Sequence, residues 1–209
     1  FGLNLTHGRG DMYRALIEGI AYGTGHVVET FAKALATMTG GSAAAAVLVT
    51  DESLAAGRRR LVAASVRAAP QHHGLCTWGV DRHGDHPSQR REFMWTDSVG
   101  VLEHGLALGR QTFAGLSELL DLPQRALDRT VCHQVGSRHR EEVLAALELD
   151  PEHDFVAYDF LGNTGTAALP VAAALAEERG FVEPGHRVGL LGIGSGLNCT
   201  MLGAHWGSQ

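Results

Sequence analysis

The sequence predicts a mixed α/β sheet with helices on its faces. Two observations predict it. Short runs such as Val188–Ile193 and Cys199–Ala204 are apolar almost throughout, as strands buried on both faces are. From Arg129 onward, such runs alternate with segments of helical length and period. The 209 residues, 44% apolar and 19% charged, suffice for one domain with a proper core, or for two small ones.

The elements follow in chain order. Asp11 caps a helix whose apolar positions run from Met12 to Leu35 at near-helical spacing. Thr39–Ser42 is a turn, and Ala43–Val49 an apolar strand, too short to span a membrane. A polar loop, 50–60, leads to a second strand, Leu61–Ala69. The stretch His72–Arg91 is rich in Gly, His, Arg and Asp and reads as an irregular surface loop. Thr96 or Asp97 caps a long helix reaching about Leu120. Arg129–Cys132 is a strand, Ser137 caps a helix ending near Leu149, and Phe155–Tyr158 is a short strand. An Ala-rich helix, Thr166–Arg179, stops at Gly180. The strands Val188–Ile193 and Cys199–Ala204 are joined by the turn Gly194-Ser195-Gly196. Trp78, Trp95 and Trp206 are read as core or interface anchors and His104 as a packing residue.

Composition narrows the function. A net charge of −6 disfavours nucleic-acid binding, which needs a basic surface. Three cysteines without a CxxC pair build no disulfide framework and fit a reducing cytoplasm. The chain opens on Phe1 with no visible signal peptide, which fits a fragment or a processed product. The histidines His72, His73, His83 and His86, with Asp81 and Asp85 nearby, lack the pair spacing of a zinc site, and no metal is assigned to them.

The chemistry concentrates in the last eighty residues. Val131-Cys132-His133-Gln134-Val135 is followed by Phe160-Leu161-Gly162-Asn163-Thr164-Gly165, and then by Gly189–Cys199 with its glycine turn. Taken singly, His133 is one of twelve histidines, Asn163 suits a tight turn, and GxGxG also fits a hairpin. A dinucleotide loop at Gly194–Gly196 fails on context, because it needs a following helix and strand and only thirteen residues remain after Gly196. As an ordered set with its flanks, from about Ala36 to Trp206, the pattern resembles the second half of the ketoacyl synthase III-type condensing enzymes of the thiolase superfamily.

That resemblance implies one half of a five-layer αβαβα sandwich, dimeric when intact, with acyl-coenzyme A or acyl carrier protein thioesters as substrates and no bound cofactor. It implies that His133 and Asn163 donate hydrogen bonds to the thioester carbonyl of the second substrate, where an enolate forms. Gly194, Ser195 and Gly196 correspond to the oxyanion loop. The family's nucleophilic cysteine belongs to a first half that this sequence does not show. Cys199 reads as core, Cys132 should point away from His133 within its strand, and Cys76 lies in the His-rich loop. Arg58, Arg59, Arg60, Arg90 and Arg91 suit either a solvated surface or an acidic carrier protein. The uncovered half-interface should be apolar. Serving fatty acid, hydrocarbon or secondary-metabolite synthesis, the family has a hydrocarbon branch that the motif Leu191–Cys199 resembles.

Residues 1–31, with Gly2–His7 and Tyr13–Tyr22, resemble instead a helical region of sugar kinases of the xylulokinase and glycerol kinase family. The chain therefore divides into 1–35, a foreign segment, and 36–209, the condensing-enzyme domain. The rival readings are a non-catalytic or partner-dependent chain and a carbohydrate kinase remnant.

Overall fold

The computed structural model describes residues 41, 43–47, 59–82, 90–120 and 127–207, with side chains left aside at 81, 82 and 90–92. The kinase-like segment, the helix expected from Asp11 and most of the loop 50–60 lie outside these residues.

A four-stranded mixed sheet carries the fold. Its strands are β1 (Arg60–Ala68), β4 (Arg129–Cys132), β5 (Arg187–Gly194) and β6 (Asn198–His205), in the order β1-β6-β5-β4. β1 runs antiparallel to β6, β6 antiparallel to β5, and β5 parallel to β4. The expected strands at 61–69, 129–132, 188–193 and 199–204 are all present. Leu197 joins β5 to β6 after the expected turn, and Gly196 takes φ +124°, a region open to glycine and strained for other residues.

Helices cover both faces of the sheet. Alternate residues of β5 divide between two cores: Leu191 and Ile193 pack with Leu108, Phe113, Leu116, Val143 and Leu144. Val188 and Leu190 pack with Ala172, Ala173, Ala176 and Trp206. On the first face lie α1 (Ser98–Leu120) and α2 (Ser137–Ala146); on the second lies α4 (Ala168–Glu178), after the short α3 (Tyr158–Leu161). Asp97 caps α1 as expected, its Oδ1 accepting the Gly100 N–H at 2.9 Å. Gly109 lets α1 approach the sheet, for a Cβ there would lie 3.1 Å from Ile193 Cδ1.

Four expectations are corrected. Residues 43–47 form no strand, and Leu48 and Val49 lie outside the described residues. The described part of the stretch 72–91 is not an irregular loop. A 3-10 turn, Pro70–Leu75, leads into an antiparallel hairpin of β2 (Cys76–Arg82) and β3 (Arg90–Thr96), with Trp78 opposite Met94. The alternation in Cys76–Val80 and Phe93–Trp95 was hidden among Gly, His and Arg. Ser137 does not cap α2; it is the first helical residue, Gly136 holds the cap position, and no side chain caps the end. Phe155–Tyr158 is not a strand: pairing there is one bridge, Thr130 to Asp154, and the chain then turns into α3.

α2 ends on Leu147, and Glu148 takes φ +55° where glycine is at ease. Glu148→Gly is expected to raise stability by about 1 kcal/mol, read as a shifted urea midpoint at unchanged slope.

Two apolar surfaces stay open among the described residues. On β1, Val62 is 52% and Val66 67% exposed. On the hairpin, Trp78 is 56% and Trp95 54% exposed, so neither is a core anchor; Trp206 is buried. No described helix is long and apolar enough to cross a membrane.

Candidate active site at the strand ends

His133 immediately follows β4, and its N–H donates to Leu191 O of β5 at 2.8 Å. Because β4 and β5 are parallel, His133 and the Gly194-Ser195-Gly196 turn lie at the same end of the sheet, where open α/β sheets build their sites. The turn is held by Asn198, whose Nδ2 donates to Ser195 O at 3.2 Å.

The imidazole of His133 is half-buried. Loss of solvation, and then the neighbouring His139, lower its pKa from 6.5 to about 4. The two rings meet edge to face, centroids 6.4 Å apart. At neutral pH His133 is therefore an uncharged donor and acceptor, able to hold an oxygen without bringing net charge. His139 is also shifted down by burial, and its Nδ1 is buried with no partner among the described residues.

Asn163 stands just past α3. Its Oδ1 accepts the Gly165 N–H at 2.9 Å, while its Nδ2 has no partner among the described residues and can donate. Its backbone carbonyl accepts the Gly41 N–H at 2.8 Å. A Cβ on Gly41 would fall 1.9 Å from Leu161 O, so only glycine fits against this loop.

Gln134 connects the two donor-bearing segments and was not foreseen as a site residue. Fully buried, it donates through Nε2 to Phe155 O at 2.6 Å and accepts at Oε1 from the N–H groups of Ala157 (2.8 Å) and Tyr158 (2.7 Å). These are backbone groups a strand ladder would otherwise use, which explains why Phe155–Tyr158 is not a strand. Asn163 follows Tyr158 by little more than one helical turn, and Gly162 N–H donates to Tyr158 O at 2.8 Å.

Beneath the site lies a buried ion pair, also unforeseen. Asp154 Oδ2 accepts from Arg140 Nε at 2.7 Å, and its Oδ1 accepts from the Cys132 N–H and the Thr130 hydroxyl, each at 3.1 Å. Burial raises the Asp154 carboxyl, while Arg140, Cys132 and Thr130 pull it back down. The sequence signal was slight: a lone Asp before an apolar residue, and an Arg fourteen positions upstream.

None of the three thiols has the surroundings of a nucleophile. Burial, and then Asp154, push Cys132 well up. Burial also raises Cys199, and Cys76 contacts the Thr96 hydroxyl at 3.4 Å. Of the His-rich stretch, His72 stacks on His104 with centroids 3.8 Å apart, and His73 Nδ1 contacts Pro70 O at 3.0 Å. His83, Asp85 and His86 lie outside the described residues, as does Arg58. Arg59 is committed to Glu177 and to the face of Trp206, which weakens its case as a free carrier-facing cation. A cleft of about 310 Å³ lined by Val62, Leu120, Leu127, Arg187 and His205 lies at the other end of the strands, apart from His133.

Acid should expose the buried imidazoles. A folded-state pKa below the unfolded value means that the unfolded chain binds the proton better, so stability is full above about pH 6.5 and falls towards about pH 4. His139 acts in the same sense, and Asp154, raised above 3.8, in the opposite one. Urea midpoints across this window should fall with acidification, and fall less for His133→Gln.

Comparison with known proteins bears on the fold. Residues 118–206 match the family of the 3-oxoacyl-[acyl-carrier-protein] synthase III C-terminal domain. The acyl-CoA:acyl-CoA alkyltransferase of Shewanella oneidensis is 46% identical over 86% of this chain and 52% of its own length. Its namesake from Xanthomonas campestris is 32% identical over 67% of this chain and 38% of its own length. A cerulenin-bound crystal structure of Xanthomonas campestris OleA superposes with TM-score 0.64 at 30% identity, over 74% of this chain and 42% of that one. A synthase III structure from Xanthomonas oryzae gives TM-score 0.63 at 29% identity, over 74% and 43%. The chain thus spans about half the length, or less, of these relatives. The Shewanella match is longer than residues 36–209 and so begins ahead of Ala36. These comparisons lend no support to the sugar kinase resemblance of residues 1–31. The fold is thiolase-like, and over residues 118–206 the chain matches the C-terminal domain of the 3-oxoacyl-[acyl-carrier-protein] synthase III-like condensing enzymes.

Proposed function

We propose that this chain supplies the His/Asn half of a condensing acyltransferase. An acyl group from a coenzyme A or carrier-protein thioester is carried on a cysteine of a partner half. His133 and Asn163 hold the thioester carbonyl of a second substrate as its enolate forms by loss of an α-proton or of carbon dioxide; the enolate carbon then attacks the carried acyl carbon, a carbon–carbon bond forms, and the acyl–sulfur bond breaks to release the cysteine thiolate. The amides of Gly194–Gly196 stabilise the oxyanion. The observation that carries this reading is the uncharged, half-buried His133 at the strand ends, joined through Gln134 to the segment that presents Asn163.

The names of the Shewanella and Xanthomonas relatives, acyl-CoA:acyl-CoA alkyltransferases, support two acyl-coenzyme A substrates. In this reading the open apolar face of β1, around Val62 and Val66, receives the cysteine-bearing half. The assembled enzyme is a cytoplasmic homodimer, and those residues within 1–35 that precede the Shewanella match are foreign to it.

A second reading, a chain that is non-catalytic without a partner, is favoured by the state of the three cysteines: two are buried with raised pKa values. Labelled acyl-coenzyme A separates it from self-sufficient catalysis. The chain alone should take up no thioester-linked label; stable, hydroxylamine-sensitive label on it would show that it carries its own nucleophile.

A further inference from the structure

The described segment that leads to Asn163 has almost no ladder of its own. Phe155 and Ala157 share an apolar core with Val131 of β4, but beyond the single Thr130–Asp154 bridge and the bond from Phe155 N–H to Thr130 O, the hydrogen bonds that tie residues 155–158 to the end of β4 among the described residues are those of the Gln134 side chain. That side chain is 2% exposed, and three of its bonds go to the backbone at Phe155, Ala157 and Tyr158. A carboxamide can accept two N–H groups on its oxygen while donating from its nitrogen; an apolar side chain of equal size would leave all three groups without these partners. A continued strand would satisfy the same groups but keep the chain extended. The carboxamide instead releases it into α3, after which Gly162, at φ +67°, turns it towards Asn163.

We propose that Gln134 is a positioning residue that sets the separation of the two donors, His133 and Asn163. It touches no substrate; it acts through the backbone on both sides. This rests on the reading of His133 and Asn163 as the carbonyl-binding pair.

The test uses Gln134→Met and Gln134→Glu, the latter keeping an acceptor for Ala157 and Tyr158 while losing the donation to Phe155. In the chain assembled with a cysteine-bearing half, Gln134→Met should slow condensation about a hundredfold, since misplacement by an ångström costs that much. Loading of the first acyl group, and KM for it, should stay within about twofold, because those steps do not use the pair. Gln134→Glu should recover about tenfold of the loss. A folded Gln134→Met variant that condenses at the wild-type rate, or that loses loading and condensation together, overturns the proposal. If Gln134→Met does not fold, wild-type turnover in Gln134→Glu overturns it.

A readout independent of activity is the labelled chain alone. The Gly165 N–H and Asn163 side-chain amide resonances should shift in both variants, and unchanged resonances overturn the proposal even if His133 proves unimportant to condensation. Failure of the functional reading would show differently, as His133→Ala without effect on condensation while those resonances still move.

Discussion

Replacing His133 with alanine is expected to lower condensation about 10²–10³-fold in the chain assembled with a cysteine-bearing half, the cost of one preorganised donor to a developing oxyanion. The size of the effect follows from where the ring sits. Half-buried and with its pKa lowered to about 4, it offers an N–H in a setting where water cannot readily take its place. Asn163→Ala should cost a similar factor, its Nδ2 being without a partner among the described residues. Because both donors address one oxygen, the double variant should lose less than the product of the single losses. Acyl loading onto the partner cysteine should survive in all three. The kinetic signature is a fallen rate of product formation beside an intact burst of thioester-linked label. Loss of both would point to a broken fold, and loss of neither would remove these residues from the site.

The largest expected effect on stability is at Arg140. Arg140→Met should destabilise the chain by about 3–5 kcal/mol, because it leaves a buried carboxylate without its partner. Asp154 is fully enclosed, and Arg140 also donates to the carbonyls of Pro151 (2.8 Å) and Asp154 (3.2 Å). Arg140→Lys should restore only part of this, since one ammonium cannot replace a fork that spans the carboxylate and two carbonyls. By contrast, the exposed pair Arg138–Glu142, one turn apart on α2, should contribute under about 1 kcal/mol. Urea unfolding of Arg140→Met, Arg140→Lys and Arg138→Ala orders these effects.

Much of the sheet was legible in the sequence because its strands are apolar on both faces and end on Gly or charged residues, as at Arg187–Gly194. The long helix was legible from its period and from Asp97. The hairpin was not, because its tip is polar and its aromatic residues lie open rather than in a core. Phe155–Tyr158 misled for a different reason. Its composition suits a strand, but a side chain from over twenty residues away takes the backbone groups a strand would use. His133, Asn163 and the glycine turn were legible only as an ordered set. Gln134, Arg140, Asp154 and His139 were not, since a buried polar residue is recognisable only once the partners that satisfy it are in place.

The central claim is that this chain is the His/Asn half of a condensing enzyme. The direct measurement is to combine it with the cysteine-bearing first half of the Shewanella oneidensis relative, supply acyl-coenzyme A, and follow formation of the carbon–carbon-linked product by mass spectrometry. The account predicts product from the combination, none from either half alone, and none above background when His133 is alanine. Two folded halves that associate and load acyl groups yet form no product, or a product rate indifferent to His133, would contradict it.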